Sequence, residues 1–244
     1  MNIGVIGGSG FIGSHVVDKL IDAGHEVTIF DMMKPQRNDV RHIYIDITDL
    51  SKTTVALTGN YHAIYLLAAM ADVNDVYKNP VEAGEVNIMA VAHILEAARR
   101  NEIARVMLAS TVWVYEMAQE TNVTEDTPLL PDRVNHVYTA SKLSAELYCH
   151  SYARLYNQQF TILRYGIPYG PRARGGTVIA IFVSKALNGQ PLTIMGDGSQ
   201  YRNFIYVEDL ALGNVAALQD IARNQTYNLE GIRPVTIKEV AETV

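Results

Sequence analysis

The chain has 244 residues, 48% of them hydrophobic, enough for a sizeable core in one large domain or in a main domain with a smaller lobe. A net charge of -6 argues against a nucleic-acid footprint and against a polybasic membrane patch. The single cysteine, Cys149, excludes an intrachain disulfide and fits a reducing compartment. Met1 to Ile6 has no basic region ahead of its apolar run and leads straight into a glycine loop, unlike a signal peptide. The longest apolar run, residues 63–71, has the length of a buried strand and not of a membrane span. The expectation is a soluble, cytoplasmic protein.

Short apolar runs alternate with helical patterns, which predicts a parallel sheet covered on both faces. In chain order the pattern gives a strand at 2–6, then a helix at 11–23 with Val16, Val17, Leu20 and Ile21 on one face and Gly24 as its stop. Strands follow at 26–30, 42–45 and 63–67, then an alanine-rich helix at 86–100 and a strand at 105–109. A long helix at 138–156 leads to a strand at 160–164. After Arg164 the texture changes, and Gly166, Pro168, Gly170, Pro171, Gly175 and Gly176 mark a long loop. A helix at 178–187, a short strand at 192–195, a Gly196-Asp197-Gly198 turn, a strand at 203–207 and a helix-like start at 236–244 complete the chain. The predicted architecture is α/β: a Rossmann-type doubly wound parallel sheet over 1–165, then a small C-terminal substrate lobe with returning Rossmann elements over 166–244, truncated or unusually short.

The strongest motif is Gly7-Gly8-Ser9-Gly10-Phe11-Ile12-Gly13, between the first predicted strand and the first predicted helix. Gly7 permits a tight turn, Gly10 lets a pyrophosphate approach the backbone, and Gly13 lets the helix pack close to the sheet. The helix start offers free N–H groups and a partial positive charge to the phosphates. Asp31 ends the second strand, where a carboxylate accepts hydrogen bonds from adenosine ribose hydroxyls and repels a 2′-phosphate. Met32 and Met33 follow where a phosphate binder would want arginine, which favours NAD over NADP, although Lys34 and Arg37 are near.

Tyr138 and Lys142 open the long helix four residues apart, on one face. A lysine ammonium beside a phenol favours the phenolate and lowers its pKa from about 10 towards neutrality. Such a phenolate can take a proton from an alcohol while hydride leaves the same carbon. Thr111 follows the strand at 105–109, at the carboxyl end of the sheet where substrates bind, and its hydroxyl could steady the reacting oxygen. The seven histidines show no metal-ligand spacing, so no metal is expected.

With these residues in view the chain resembles the extended short-chain dehydrogenase/reductase family, in particular its nucleotide-sugar 4-epimerases and their dehydratase and decarboxylase relatives. The resemblance rests on the glycine loop, Asp31, Asp46-Ile47, Leu67-Ala68-Ala69, Asn87, Ser110-Thr111 with Tyr115, and Tyr138 with Lys142. It continues through Tyr169-Gly170-Pro171 and Gly196-Asp197-Gly198 to the run from Arg202 to Asp209. It implies that Asp46 and Ile47 contact the adenine ring and that Leu67, Ala68 and Ala69 pass the nicotinamide ribose. It further implies a catalytic trio of Thr111, Tyr138 and Lys142, a turn at Tyr165 to Ile167 beside the nicotinamide and the sugar, and a diphosphate-gripping Arg202.

The departures bear on function. Dehydratases and UDP-glucuronate decarboxylases of that family usually carry a carboxylate two residues after the threonine. Trp113, in the substrate site by this reading, stands there instead, and an indole is neither acid nor base. Ile167 replaces the family's asparagine and Leu66 a histidine, and family members run tens of residues further. The favoured expectation is an NAD-dependent nucleotide-sugar 4-epimerase working through a 4-keto sugar. A net sugar or alcohol dehydrogenase of the same family is the alternative, and a non-catalytic NAD-binding regulatory protein the second. The resemblance also implies a homodimer that pairs helices 86–100 and 138–156, with Ile88, Val91, Leu95, Leu143, Leu147 and Tyr148 as its apolar spread.

Overall fold

The computed structural model describes residues 1–116, 118 and 122–244. Strand β1 (Asn2–Ile6) enters helix α1 (Phe11–Asp22) through the glycine loop, and β2 (Glu26–Phe30) and β3 (Arg41–Ile43) extend the sheet to one side. Helix α2 (Leu50–Ala56) then returns the chain to β4 (Ala63–Leu66) on the other side of β1. Short helices α3 (Val73–Lys78) and α4 (Pro80–Gly84) lead through one π-helical turn, Glu85–Met89, into α5 (Ala90–Arg100). Next come β5 (Arg105–Thr111), α6 (Val137–Tyr156) and β6 (Gln159–Tyr165).

The remainder splits between two places. β7 (Ile167–Tyr169) pairs with β9 (Phe204–Tyr206), and β8 (Tyr201–Arg202) pairs with β11 (Val235–Thr236); helix α7 (Val178–Leu187) comes between β7 and β8 in the chain, and α9 (Ile237–Thr243) packs against β11. Helix α8 (Val207–Ala216) and strand β10 (Gln225–Leu229) go back to the main sheet. That sheet has the order β3-β2-β1-β4-β5-β6-β10, and every pair in it is parallel.

Both faces of the sheet are covered, so its central strands carry apolar runs, Ala63–Leu66 in β4 and residues 106–109 in β5; all four residues of β4 and all seven of β5 are buried. On one face Ile6, Phe30, Ile64 and Leu66 pack with Ile94 and Leu95 of α5. On the other, Ile3, Val5 and Tyr65 pack with Val16 and Leu20 of α1 and with Leu210 and Ala211 of α8. The chain leaves β1 towards β2 and comes back to it at β4, and this reversal opens a crevice at the carboxyl ends of the two strands.

Several expectations need correction. The strand expected at 192–195 does not form. The strand expected at 203–207 ends at Tyr206, and Val207 instead opens α8, whose Val207, Leu210, Ala211 and Asn214 are buried. The helical path expected at 86–100 starts at Pro80 and is widened at Glu85–Met89. Val91, Leu95 and Leu143, counted towards a dimer surface, are buried within the chain. Among the described residues no helix is long and apolar enough to cross a membrane.

Candidate active site

The glycine loop is shaped by close approach. Gly7 has φ +84, and a Cβ there would stand 2.4 Å from the backbone nitrogen of Ala68, at the start of the segment leaving β4. A Cβ on Gly13 would stand 2.0 Å from the carbonyl oxygen of Gly7. The first turn of α1 is thus pressed onto the loop, and Gly10 caps it without any side-chain hydrogen bond. A helix start leaves its first N–H groups without intrahelical partners, and those of Phe11, Ile12 and Gly13 are available to an anion.

Asp31 braces the same loop. Its Oδ2 accepts from the Ser9 N–H at 2.9 Å and its Oδ1 from the Met33 N–H at 2.9 Å. The carboxylate is held rigidly, and its remaining lone pairs are free for ribose hydroxyls. Asp46 is held by its own turn: Thr48 donates to Oδ1 from its N–H at 3.0 Å and from its hydroxyl at 2.7 Å, which holds the Asp46 carboxyl below its ordinary value.

These residues meet in one crevice of about 750 Å³. Gly7, Gly10, Phe11, Ile12, Gly13, Asp31, Asp46, Ile47, Leu67, Ala68, Ala69, Tyr138, Tyr165 and Ile167 all line it, together with Thr111 and Trp113. Lys142 does not; it lies beneath the wall, 6% exposed.

The trio is therefore only partly in mutual contact. Thr111, the last residue of β5, hydrogen-bonds the Tyr138 phenol, and its oxygen also accepts from the Trp113 N–H at 3.2 Å. Burial pushes the Tyr138 phenol above its ordinary value, and among the described residues the Thr111 bond alone works against this. The Lys142 ammonium donates to the Ala109 carbonyl at 3.0 Å and not to the phenol. Burial brings Lys142 down to about 8, opposed by the charge of Glu146. The expected low phenol is thus corrected: four-residue spacing sets a common helix face, but here the lysine side chain is used to tie α6 to β5.

A second cavity, of about 640 Å³, adjoins through Trp113, which lines both. Glu116, His136, Arg202, Asn203 and Glu230 are among its other walls. The Trp113 ring meets His136 edge-on at 5.4 Å and Tyr138 edge-on at 6.1 Å, and His136 lies 3.4 Å from Glu116. Arg202 is exposed, with one guanidinium nitrogen on the Tyr201 carbonyl at 2.7 Å, and stands apart from the dinucleotide crevice.

Sequence reasoning missed part of the wall. Arg174 and Thr177, from the glycine-rich loop, line the crevice, as do Met70 and Asp72. Asn87 pins that segment: its amide exchanges two 2.9 Å hydrogen bonds with the Met70 backbone and donates to the Ser141 hydroxyl at 3.1 Å. A polar amide in an otherwise apolar helical face was the available signal.

A doubly wound parallel sheet with a glycine-shaped crevice at its switch point, and a tyrosine–threonine pair in the crevice wall, defines a Rossmann-type dinucleotide-dependent enzyme. Comparison with known proteins makes the class narrower. The NAD dependent epimerase/dehydratase family model matches residues 3–229. The putative UDP-glucose 4-epimerase of Methanocaldococcus jannaschii is 33% identical over 98% of this chain and 80% of that protein. The UDP-glucose 4-epimerase of Thermotoga maritima, solved with UDP-glucose, superposes with a TM-score of 0.88 at 29% identity over 99% of this chain and 81% of that one. That of Thermus thermophilus, solved with NAD, gives 0.87 at 30% identity over 99% and 81%. Decarboxylases and a dehydratase also occur among the similar proteins. The chain belongs to the NAD dependent epimerase/dehydratase family, and it is an enzyme that uses NAD.

Proposed function

We propose that the chain is a nucleotide-sugar 4-epimerase acting through a transient 4-keto sugar. The observation that carries this reading is the setting of Tyr138: its phenol stands in the crevice wall, bonded to Thr111, next to the one indole that borders both cavities. Gly7, Gly10 and Gly13 with the open N–H groups of Phe11 and Ile12 would hold the pyrophosphate, and Asp31 the adenosine ribose. Asp46 and Ile47 would border the adenine, and Leu67, Ala68, Ala69, Tyr165 and Ile167 the nicotinamide end. The residues fit the group because a Cβ at Gly7 or Gly13 would clash with backbone, which keeps the first turn of α1 pressed onto the loop with its leading N–H groups open.

Bound NAD supplies an acceptor for the hydrogen at sugar carbon 4 and a positive charge that offsets the burial of the phenol. Tyr138 takes the proton of the 4-hydroxyl and returns it when the sugar has turned over. Thr111 donates to the reacting oxygen. Lys142 acts at a distance, as a buried positive charge behind the phenol. Arg202 grips the diphosphate in a bidentate fork from the second cavity, and Trp113 walls the sugar without acid or base chemistry.

In this reading residues 1–165 hold the cofactor, and 166–244 supply the substrate lobe and complete the sheet. Two chains pair in the cytoplasm through the exposed Met89, Leu147, Tyr148 and Leu155 of the α5 and α6 sides, which sizing in solution checks. The test of function is incubation with UDP-, GDP- and dTDP-sugars and chromatography of the products. We expect one nucleotide sugar to be converted to its 4-epimer with no lasting absorbance of reduced nicotinamide. Lasting absorbance would make the enzyme a net dehydrogenase, and an unchanged panel with NAD bound would refute turnover on nucleotide sugars.

A further inference from the structure

Behind the site lies a charge cluster that the proposed chemistry does not use. Glu146 sits one helical turn beyond Lys142 on α6, on the face that Tyr138 opens, and is 2% exposed. Its Oε1 accepts from the Ser110 hydroxyl at 2.5 Å and from Arg164 Nε at 3.0 Å, and its Oε2 from Arg164 Nη2 at 2.6 Å. Arg164, on β6, is 4% exposed, and its third nitrogen donates to the Tyr115 hydroxyl. Tyr115 in turn donates to Asn228 of β10 at 3.1 Å.

One carboxylate therefore ties together the strand that ends in Thr111, the helix that carries Tyr138 and Lys142, and the strand that ends in Tyr165. A buried ion pair contributes little stability over an apolar pair of the same shape, because both ions lose water. What Glu146 supplies is the negative end of that pair, one helical turn from the buried Lys142 ammonium in the low-dielectric interior. The titratable and charged groups that face Glu146 and Arg164 are Lys142, Cys149 and His150 on α6 and Tyr115 after β5, while Tyr165 on β6 points to the other face of the sheet and donates to Asn214. Among the described residues Glu146 is the one anion acting on Lys142.

We propose that Glu146, held by Ser110 and Arg164, is a positioning residue that keeps the Lys142 ammonium charged and seated on the Ala109 carbonyl, so that the positive charge behind Tyr138 persists under working conditions. The proposal rests on the Tyr138–Lys142 reading of the site for its catalytic consequence, but not for its electrostatic one. Without Glu146, burial alone acts on Lys142, so the lysine loses its proton at lower pH.

The test follows the Lys142 side chain in the full chain by carbon NMR of its ε-methylene, assigned with Lys142→Met. In the parent protein Lys142 is expected to titrate at about 8. In Glu146→Gln the midpoint should fall by about one pH unit, and the alkaline limb of kcat should fall with it, lowering turnover about fivefold at the parent's midpoint. Glu146→Gln leaves a buried arginine unpaired and could unfold the chain, so Glu146→Gln/Arg164→Met is made beside it; removing the pair together spares stability, and the midpoint should again fall. Ser110→Ala should shift it in the same direction by less. An unmoved Lys142 midpoint in a folded Glu146 variant would overturn the proposal, even if activity were lost. A moved midpoint in a protein that turns over no nucleotide sugar would uphold the electrostatic role and refute the epimerase reading instead.

Discussion

Tyr138→Phe is expected to lower epimerase turnover by about a hundredfold to ten-thousandfold, the usual worth of a positioned acid–base group, while NAD still binds. Removing the hydroxyl takes away the group that accepts and returns the alcohol proton, yet leaves the ring. The ring carries the edge-on contact with Trp113 at 6.1 Å, and it remains part of the crevice wall. Thr111 keeps its bond from the Trp113 N–H, so the end of β5 holds its shape. Because the effect falls on kcat, binding of NAD by calorimetry and turnover by chromatography should separate cleanly. Undiminished turnover in this variant would remove Tyr138 from the chemistry.

Gly13→Ala should act at the other end of the crevice and on a different quantity. The added methyl would stand 2.0 Å from the Gly7 carbonyl oxygen, which belongs to backbone and cannot rotate away. Helix α1 must then lift from the loop, separating Val16 and Leu20 from Ile3 and Val5 in the core and turning the N–H groups of Phe11 and Ile12 away from the phosphates. Overpacking of this kind costs about 1–3 kcal/mol of stability, and misaimed phosphate donors at a cofactor site cost on the order of a hundredfold in affinity. Denaturant unfolding and NAD titration of the variant check the two parts independently. A variant with parental stability and affinity would mean that the loop is not compressed as described.

Much of the fold could be read from the residues because steric demands leave few options. A strand, a turn with positive φ at Gly7, a close approach at Gly13 and a helix start at Phe11 form one indivisible unit. The buried strands β1, β4 and β5 declare themselves as apolar runs. The C-terminal part was less legible for physical reasons. β10 is an edge strand with a sequence of mixed polarity, Gln225-Thr226-Tyr227-Asn228-Leu229, and no alternation marks which face it buries. α8 follows β9 without a break, so the change from strand to helix periodicity at Val207 is hidden inside one apolar stretch.

The site shows the same divide. The positions lining the crevice follow from local motifs, and the glycine loop, Asp31, Thr111 and Tyr138 are all found there. Distances across the sheet do not follow from such motifs. The spacing of Tyr138 and Lys142 suggested a direct partnership, whereas the ammonium reaches across to Ala109 on β5. The Glu146–Arg164 pair joins residues 18 apart in sequence through two different elements, and nothing local announced it. Arg174 reaches the crevice only because the loop after β7 folds back over α1, where Arg172 meets Asp18 at 2.8 Å.

The most direct measurement of the central claim uses the converted nucleotide sugar labelled with deuterium at carbon 4. If hydrogen leaves and returns at that carbon within a closed crevice, the epimeric product will carry the label at carbon 4, with no lasting reduced-nicotinamide absorbance. Loss of the label to solvent, or its retention on released reduced cofactor beside a stable keto sugar, would contradict the account.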